Sequence, residues 1–130
     1  MRLMKPQFGL GILACCFLAC CHSTKPQPPI TREVLVGDYV YHSDDDRPLE
    51  RASDHEWNHL ELTKDGRYHL IQGGPTKTKT DEVGTWVAYY SGVGVSDVAF
   101  HGRIYPIQVK LGEIRLMIDE DIGIWYAKAK

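Results

Sequence analysis

Histidines and carboxylates crowd one stretch of this sequence. Asp38, Asp44, Asp45, Asp46, Glu50, Asp54, Glu56 and Glu61 lie close together against Arg47 and Arg51, with His42, His55 and His59 among them. Imidazole and carboxylate can ligate a divalent cation together, so the three histidines are the metal candidates of the chain. Their spacing fits neither HExxH nor an EF-hand loop, and the sequence predicts no metal and no other cofactor. A long acidic loop also suits docking, which makes Asp44, Asp45 and Asp46 candidate contacts for a basic protein partner. The plainer alternative is a solvated acidic loop.

Covalent catalysis needs a nucleophile beside a base. Ser43, Ser53, Ser91 and Ser96 are available, but no G-x-S-x-G occurs. Gly73-Gly74-Pro75 and Gly92-Val93-Gly94 lack the following helix that a phosphate loop requires. The sequence therefore predicts a protein that is not an enzyme. Trp86 and Trp125 are the candidates for a ligand-pocket wall, the alternative being that they fill a small core. Asp119-Glu120-Asp121 reads as a charged hairpin turn. A net charge of -2 supplies no basic field for nucleic acid.

All four cysteines, Cys15, Cys16, Cys20 and Cys21, precede the acidic region. Their position excludes a disulfide framework or CxxC metal site further along the chain. Arg2 and Lys5 open the sequence, and an apolar run of about fourteen residues follows from Phe8 to Cys21. A basic start and a short apolar run read as a signal peptide; spanning a bilayer takes roughly 20 residues. Phe17-Leu18-Ala19-Cys20 places a small residue before a cysteine. In this it resembles the lipobox of bacterial lipoprotein signal peptides, which implies cleavage before Cys20 and palmitate-type acylation of that residue. Leu18-Ala19-Cys20-Cys21 makes Cys21 the second choice, and a plain signal peptide without lipidation is the other alternative. Residues 1–19 are thus read as signal peptide. Residues 20–33, with Pro26, Pro28 and Pro29, are read as a lipidated cysteine and an extended tether. The resemblance implies an outer-membrane lipoprotein facing the periplasm, held to the membrane by its N-terminal lipid.

These candidate groups need a scaffold, and residues 34–130 are expected to supply it as one domain. A composition of 43% hydrophobic and 25% charged residues excludes a disordered chain. No stretch sustains helical spacing, whereas short β-branched and aromatic runs alternate with Gly and Asp turns. Eight strands are predicted: Leu35–Tyr41, Trp57–Thr63, Arg67–Gln72, Glu82–Tyr89, Val95–His101, Ile104–Leu111, Ile114–Ile118 and Ile122–Lys128. Between the second and third, a three-residue loop with Gly66 left-handed pairs Leu62 with Tyr68 and Leu60 with Leu70. That register puts every apolar side chain on one face. Eight sequential strands with one apolar face predict an all-β, antiparallel up-and-down barrel, with a β-sandwich as the alternative.

Gly37-Asp38-Tyr39, the Leu60–Leu70 hairpin, Gly84-Thr85-Trp86 and Trp125-Tyr126 resemble, in that order, the small lipocalin-like barrels of bacterial envelope lipoproteins. The resemblance implies a binding module. Its occupant would be a periplasmic protein partner, as in inhibitor or immunity-type proteins, or alternatively a small or metal ligand inside the barrel.

Overall fold

The computed structural model describes residues 26–44 and 52–130. Nine strands, all paired antiparallel, form one sheet: β1 Gly37–Ser43, β2 His59–Leu62, β3 Arg67–Gly74, β4 Lys77–Thr85, β5 Val87–Ser91, β6 Gly94–Phe100, β7 Arg103–Lys110, β8 Glu113–Asp119 and β9 Ile124–Lys128. The order is β4-β3-β2-β1-β9-β8-β7-β6-β5. The first and last strands of that order, β4 and β5, are consecutive in the chain and separated only by Trp86. The sheet is therefore curled and barrel-like. Among the described residues the strands form one continuous sheet, as a barrel-like fold requires and a two-sheet sandwich does not, and the expected strand Glu82–Tyr89 falls in two of the nine.

The expected strand Glu82–Tyr89 breaks at Trp86 because its two halves have different partners: β4 pairs with β3, and β5 with β6. The polar run from Lys77 to Thr80 forms the exposed start of β4, which its composition concealed. Leu35, expected in the first strand, ends the short helix α1 (Arg32–Leu35) instead.

The hairpin between β2 and β3 has the expected register, with Leu60 opposite Leu70 and Leu62 opposite Tyr68. Gly66 has φ +88°, and its N–H donates to Thr63 O at 3.1 Å. A glycine occupies this conformation without steric cost. Two other hairpins close with two-residue turns in which both residues have positive φ, His101-Gly102 and Leu111-Gly112. Such turns match strand twist but favour Asn, Asp or Gly. Leu111, at φ +52°, breaks that preference and is 99% exposed. A left-handed non-glycine residue costs about 1–2 kcal/mol.

Inward side chains fill the barrel. Leu35, Tyr39, Leu60, Leu62, Leu70, Val98 and Leu116 are fully buried, and Tyr68, Phe100, Tyr105 and Tyr126 pack beside them. Phe100 and Tyr105 stack with centroids 4.1 Å apart. One end is closed by α1, whose Leu35 enters the core. Tyr39 Oη donates to Leu35 O at 2.6 Å, and burial pushes the Tyr39 pKa up. Trp86 closes the same end. Its indole N–H donates to Thr63 O at 2.9 Å, and the Arg32 guanidinium lies 4.3 Å above the ring.

The segment expected as tether joins the domain before α1. Val95 N–H donates to Ile30 O at 2.9 Å, and Pro29 packs by Gly94. The apolar Ile30 and the bare backbone of Gly94 make this approach possible where the prolines alone would stay extended in solvent.

Candidate functional site

The other end of the barrel is open, and its lining comes from five separate parts of the chain. A 3-10 turn at Ala52–His55 supplies His55, and Asn58 lies between that turn and β2. Asn58 is the one buried polar residue outside glycine among those described. Its Oδ1 accepts the Gly73 N–H at 2.8 Å, and its own N–H donates to His55 O at 2.9 Å. A backbone N–H can only donate, so this bond fixes the amide orientation and turns Nδ2 toward His55 Nδ1, 2.9 Å away. Neutral His55 therefore accepts at Nδ1 and carries its proton on Nε2. Tyr41, from β1, stacks on the His55 ring at 4.3 Å.

The turn between β6 and β7 supplies His101 and Arg103 on the opposite wall. Arg103 Nη2 donates to Ile118 O at 3.3 Å, and its guanidinium lies 5.6 Å from the Tyr105 ring. His101 Nδ1 lies 2.6 Å from Glu82 Oε2, and Tyr68 Oη donates to the other oxygen of the same carboxylate. The His101 hydrogen bond, then that of Tyr68, holds Glu82 below the usual carboxylate range. Burial first, then Glu82, pushes the Tyr68 phenol up to about 12. This side-chain chain bridges β3, β4 and the β6–β7 turn, next to the point where the ladder changes partners. Gly84 makes room for it, since a Cβ there would come within 2.6 Å of the Tyr68 ring.

Between these walls is a recess of about 160 Å³, lined by Tyr41, His55, Asn58, Gln72, His101, Arg103, Tyr105, Ile118, Ile124 and Tyr126. Burial pushes the Tyr126 phenol up to about 12, so it is a neutral donor at physiological pH. Among the described residues, phenols, two amides, imidazoles and a guanidinium line the recess, and no carboxylate does. It is built to receive hydrogen-bond acceptors or negative charge. Exposed acids stand in the turns at this end: Asp44, whose N–H donates to Gly123 O at 2.8 Å, and Asp119, Glu120 and Asp121.

The residues singled out by sequence are not gathered there. His42 stacks on Trp125 on the outer face, with centroids 5.9 Å apart. His59 pairs with Asp38 at 3.2 Å, also away from the recess. Of the three histidines only His55 reaches it, and no group of three potential ligands converges among the described residues. Trp86 closes the opposite end, and Trp125 lies outside the barrel between His42 and the Arg115 guanidinium, 4.2 Å from its ring. Strand alternation explains this: Ile124 and Tyr126 face inward, so Trp125 faces outward. Asp45, Asp46, Cys20 and Cys21 lie outside the described residues. Tyr41, Asn58, Gln72, His101, Arg103 and Tyr105 were missed. His101-Gly102 carried the one available signal, a turn dipeptide between two strands.

No family model matches the chain, and neither a curated protein nor a solved structure matches it.

Proposed function

We propose that this chain is a lipid-anchored, non-enzymatic binding module of the inhibitor or immunity type. In this reading it is held by Cys20 at the outer membrane, faces the periplasm and binds a protein partner through the open end of its barrel. The fold in this reading is a lipocalin-like barrel in which β4 and β5 act as one bent strand.

One observation carries the choice of partner: the barrel is filled, and the recess at its open end holds about 160 Å³. Small-molecule sites occupy about 300–1,000 Å³, while a cavity of about 150 Å³ takes a single benzene-sized group. A recess this size suits one inserted side chain of a larger partner. Its donors would receive an acceptor group, while the acids around it steer a basic surface toward the mouth.

The test is capture of cross-linked partners by the full chain from an envelope fraction. The same capture is made with Arg103→Ala and with Asp44, Asp45 and Asp46 all changed to Lys. One protein should be recovered by the wild type, with the charge reversal slowing association and the arginine change speeding release. Recovery of that protein undiminished by either change refutes the reading. Recovery of a small molecule alone replaces the protein partner with a ligand in the recess.

A further inference from the structure

Leu111 is the most exposed large apolar residue described, and it holds a left-handed conformation that Asn or Asp would adopt more easily. Neither folding nor the recess explains it, because the β7–β8 turn lies at the closed end of the barrel. It is not isolated. Pro28, Pro29, Val34, Val109 and Ile114 share with it an apolar groove of about 640 Å³. Contiguous exposed apolar surface of this kind marks a contact with a protein or a membrane.

Three observations select the membrane. The described chain enters this groove at Pro26, six positions after Cys20, a reach of at most roughly 20 Å. A lipid on Cys20 therefore keeps this end of the barrel within that distance of the bilayer. Lys110, Lys128 and Lys130 flank the turn, Lys128 also donating to Val34 O; of the acids nearby, Glu113 is paired with Arg115 at 2.8 Å, and exposed Glu33 is offset by Arg32 and Lys64. Lysines around an apolar tip suit an anionic lipid surface. Finally, the recess faces away from the lipid when this end faces toward it.

We infer that the β7–β8 turn and the groove beside it dock on the surface of an anionic phospholipid bilayer, with Leu111 inserted among the headgroups. The docking rests on the Cys20 anchor proposed above. Acyl chains hold the protein to the membrane, and the turn sets its orientation, presenting the mouth outward.

The test uses the full chain with Cys15, Cys16 and Cys21 changed to Ser, carrying either Val34→Cys in the groove or Glu120→Cys at the mouth end. Protein purified in detergent is inserted into preformed vesicles of phosphatidylethanolamine and phosphatidylglycerol. It is then treated with a bulky, membrane-impermeant maleimide. Labelling after denaturation counts free thiols: a single thiol if Cys20 is acylated, a pair if it is not. The expected result is a single thiol, with Val34→Cys labelled at least tenfold more slowly on vesicles than in detergent and Glu120→Cys unaffected. Adding Leu111→Asp should restore fast labelling at position 34. Aspartate suits positive φ better than leucine, so this change leaves the turn folded. A single thiol with equal protection at both positions, or no protection at position 34, overturns the docking and leaves the anchor standing. Protection that survives Leu111→Asp also overturns it. A pair of thiols overturns the anchor, and the docking falls with it.

Discussion

The two ends of the barrel are built on opposite principles. At the closed end, Leu35 and Tyr39 are fully buried, and Trp86 is held by a backbone carbonyl below it and a guanidinium above. At the open end, Tyr41, His55, Asn58, Arg103 and Tyr126 turn polar atoms toward a recess. Burial of apolar area stabilises the first, while hydrogen bonds that desolvation nearly cancels hold the second. Stability should therefore be concentrated at the closed end, leaving the mouth free to change its residues with less risk to the fold. That asymmetry is what a binding scaffold needs.

The strongest challenge to it is Leu35→Ala. Leu35 is fully buried beneath α1, so its truncation should cost about 2–5 kcal/mol. Urea denaturation would register this as a lower midpoint with an unchanged slope. A cost below about 1 kcal/mol would mean that α1 is not a plug and that the ends do not differ as described.

Asn58→Ala should have the largest effect at the mouth. It leaves the buried Gly73 N–H without its acceptor and removes the group that orients His55. A buried donor left unsatisfied costs about 1–3 kcal/mol. Hydrogen exchange should show the loss confined to the Ala52–His55 turn and the β3–β4 connection. Protection lost throughout the core would show that Asn58 supports the whole barrel and not the mouth alone.

Gly66→Val probes the closed end again, through the backbone. The Cβ would lie 3.2 Å from the flexible end of Arg32 and 4.0 Å from Trp86 O, so space is not the obstacle. The obstacle is φ +88°, which a β-branched residue adopts only under strain. About 1–2 kcal/mol of lost stability is expected from chemical denaturation. An unchanged midpoint would count against the loop geometry.

That loop was also the most legible part of the sequence. Asp65-Gly66 marked the turn, and Leu60, Leu62, Tyr68 and Leu70 fixed the register, because a one-residue slip would have split them between the two faces. The signal was local and redundant. The break at Trp86 was not legible, because Glu82 to Tyr89 has continuous strand propensity and the change of partner from β3 to β6 depends on distant chain. The recess was hidden for the same reason: Asn58 is defined by Gly73, and Arg103 by Ile118. Trp125 misled because aromatic residues suggest a pocket wall, while only the inward placement of Ile124 and Tyr126 decides which face it takes. Among the metal candidates, His42 and His59 lie on outward faces, and His55 alone turns inward.

The smallest expected effect, and the sharpest in pH, belongs to Glu82→Gln beside the mouth. The carboxylate accepts from Tyr68 and pairs with His101, and its pKa is lowered by the His101 bond first and the Tyr68 bond second. A carboxyl whose folded pKa lies below its unfolded value stabilises the fold fully above the unfolded pKa, about 4.3 for glutamate. That contribution is lost as pH falls through the folded value. Tyr68, pushed up to about 12, stays protonated and able to donate throughout this window. Glutamine keeps the shape and one acceptor but removes the charge. Thermal melts should show the variant slightly below the wild type at pH 7, with the two curves converging as the pH falls below about 4.3. The pair is solvent-accessible, so added salt should shrink the difference as well. A gap that persists at low pH would mean that the carboxylate charge does not join β4 to the β6–β7 turn. The mouth would then be held by packing, as the closed end is, and the contrast between the two ends would weaken at the place where the sheet changes partners.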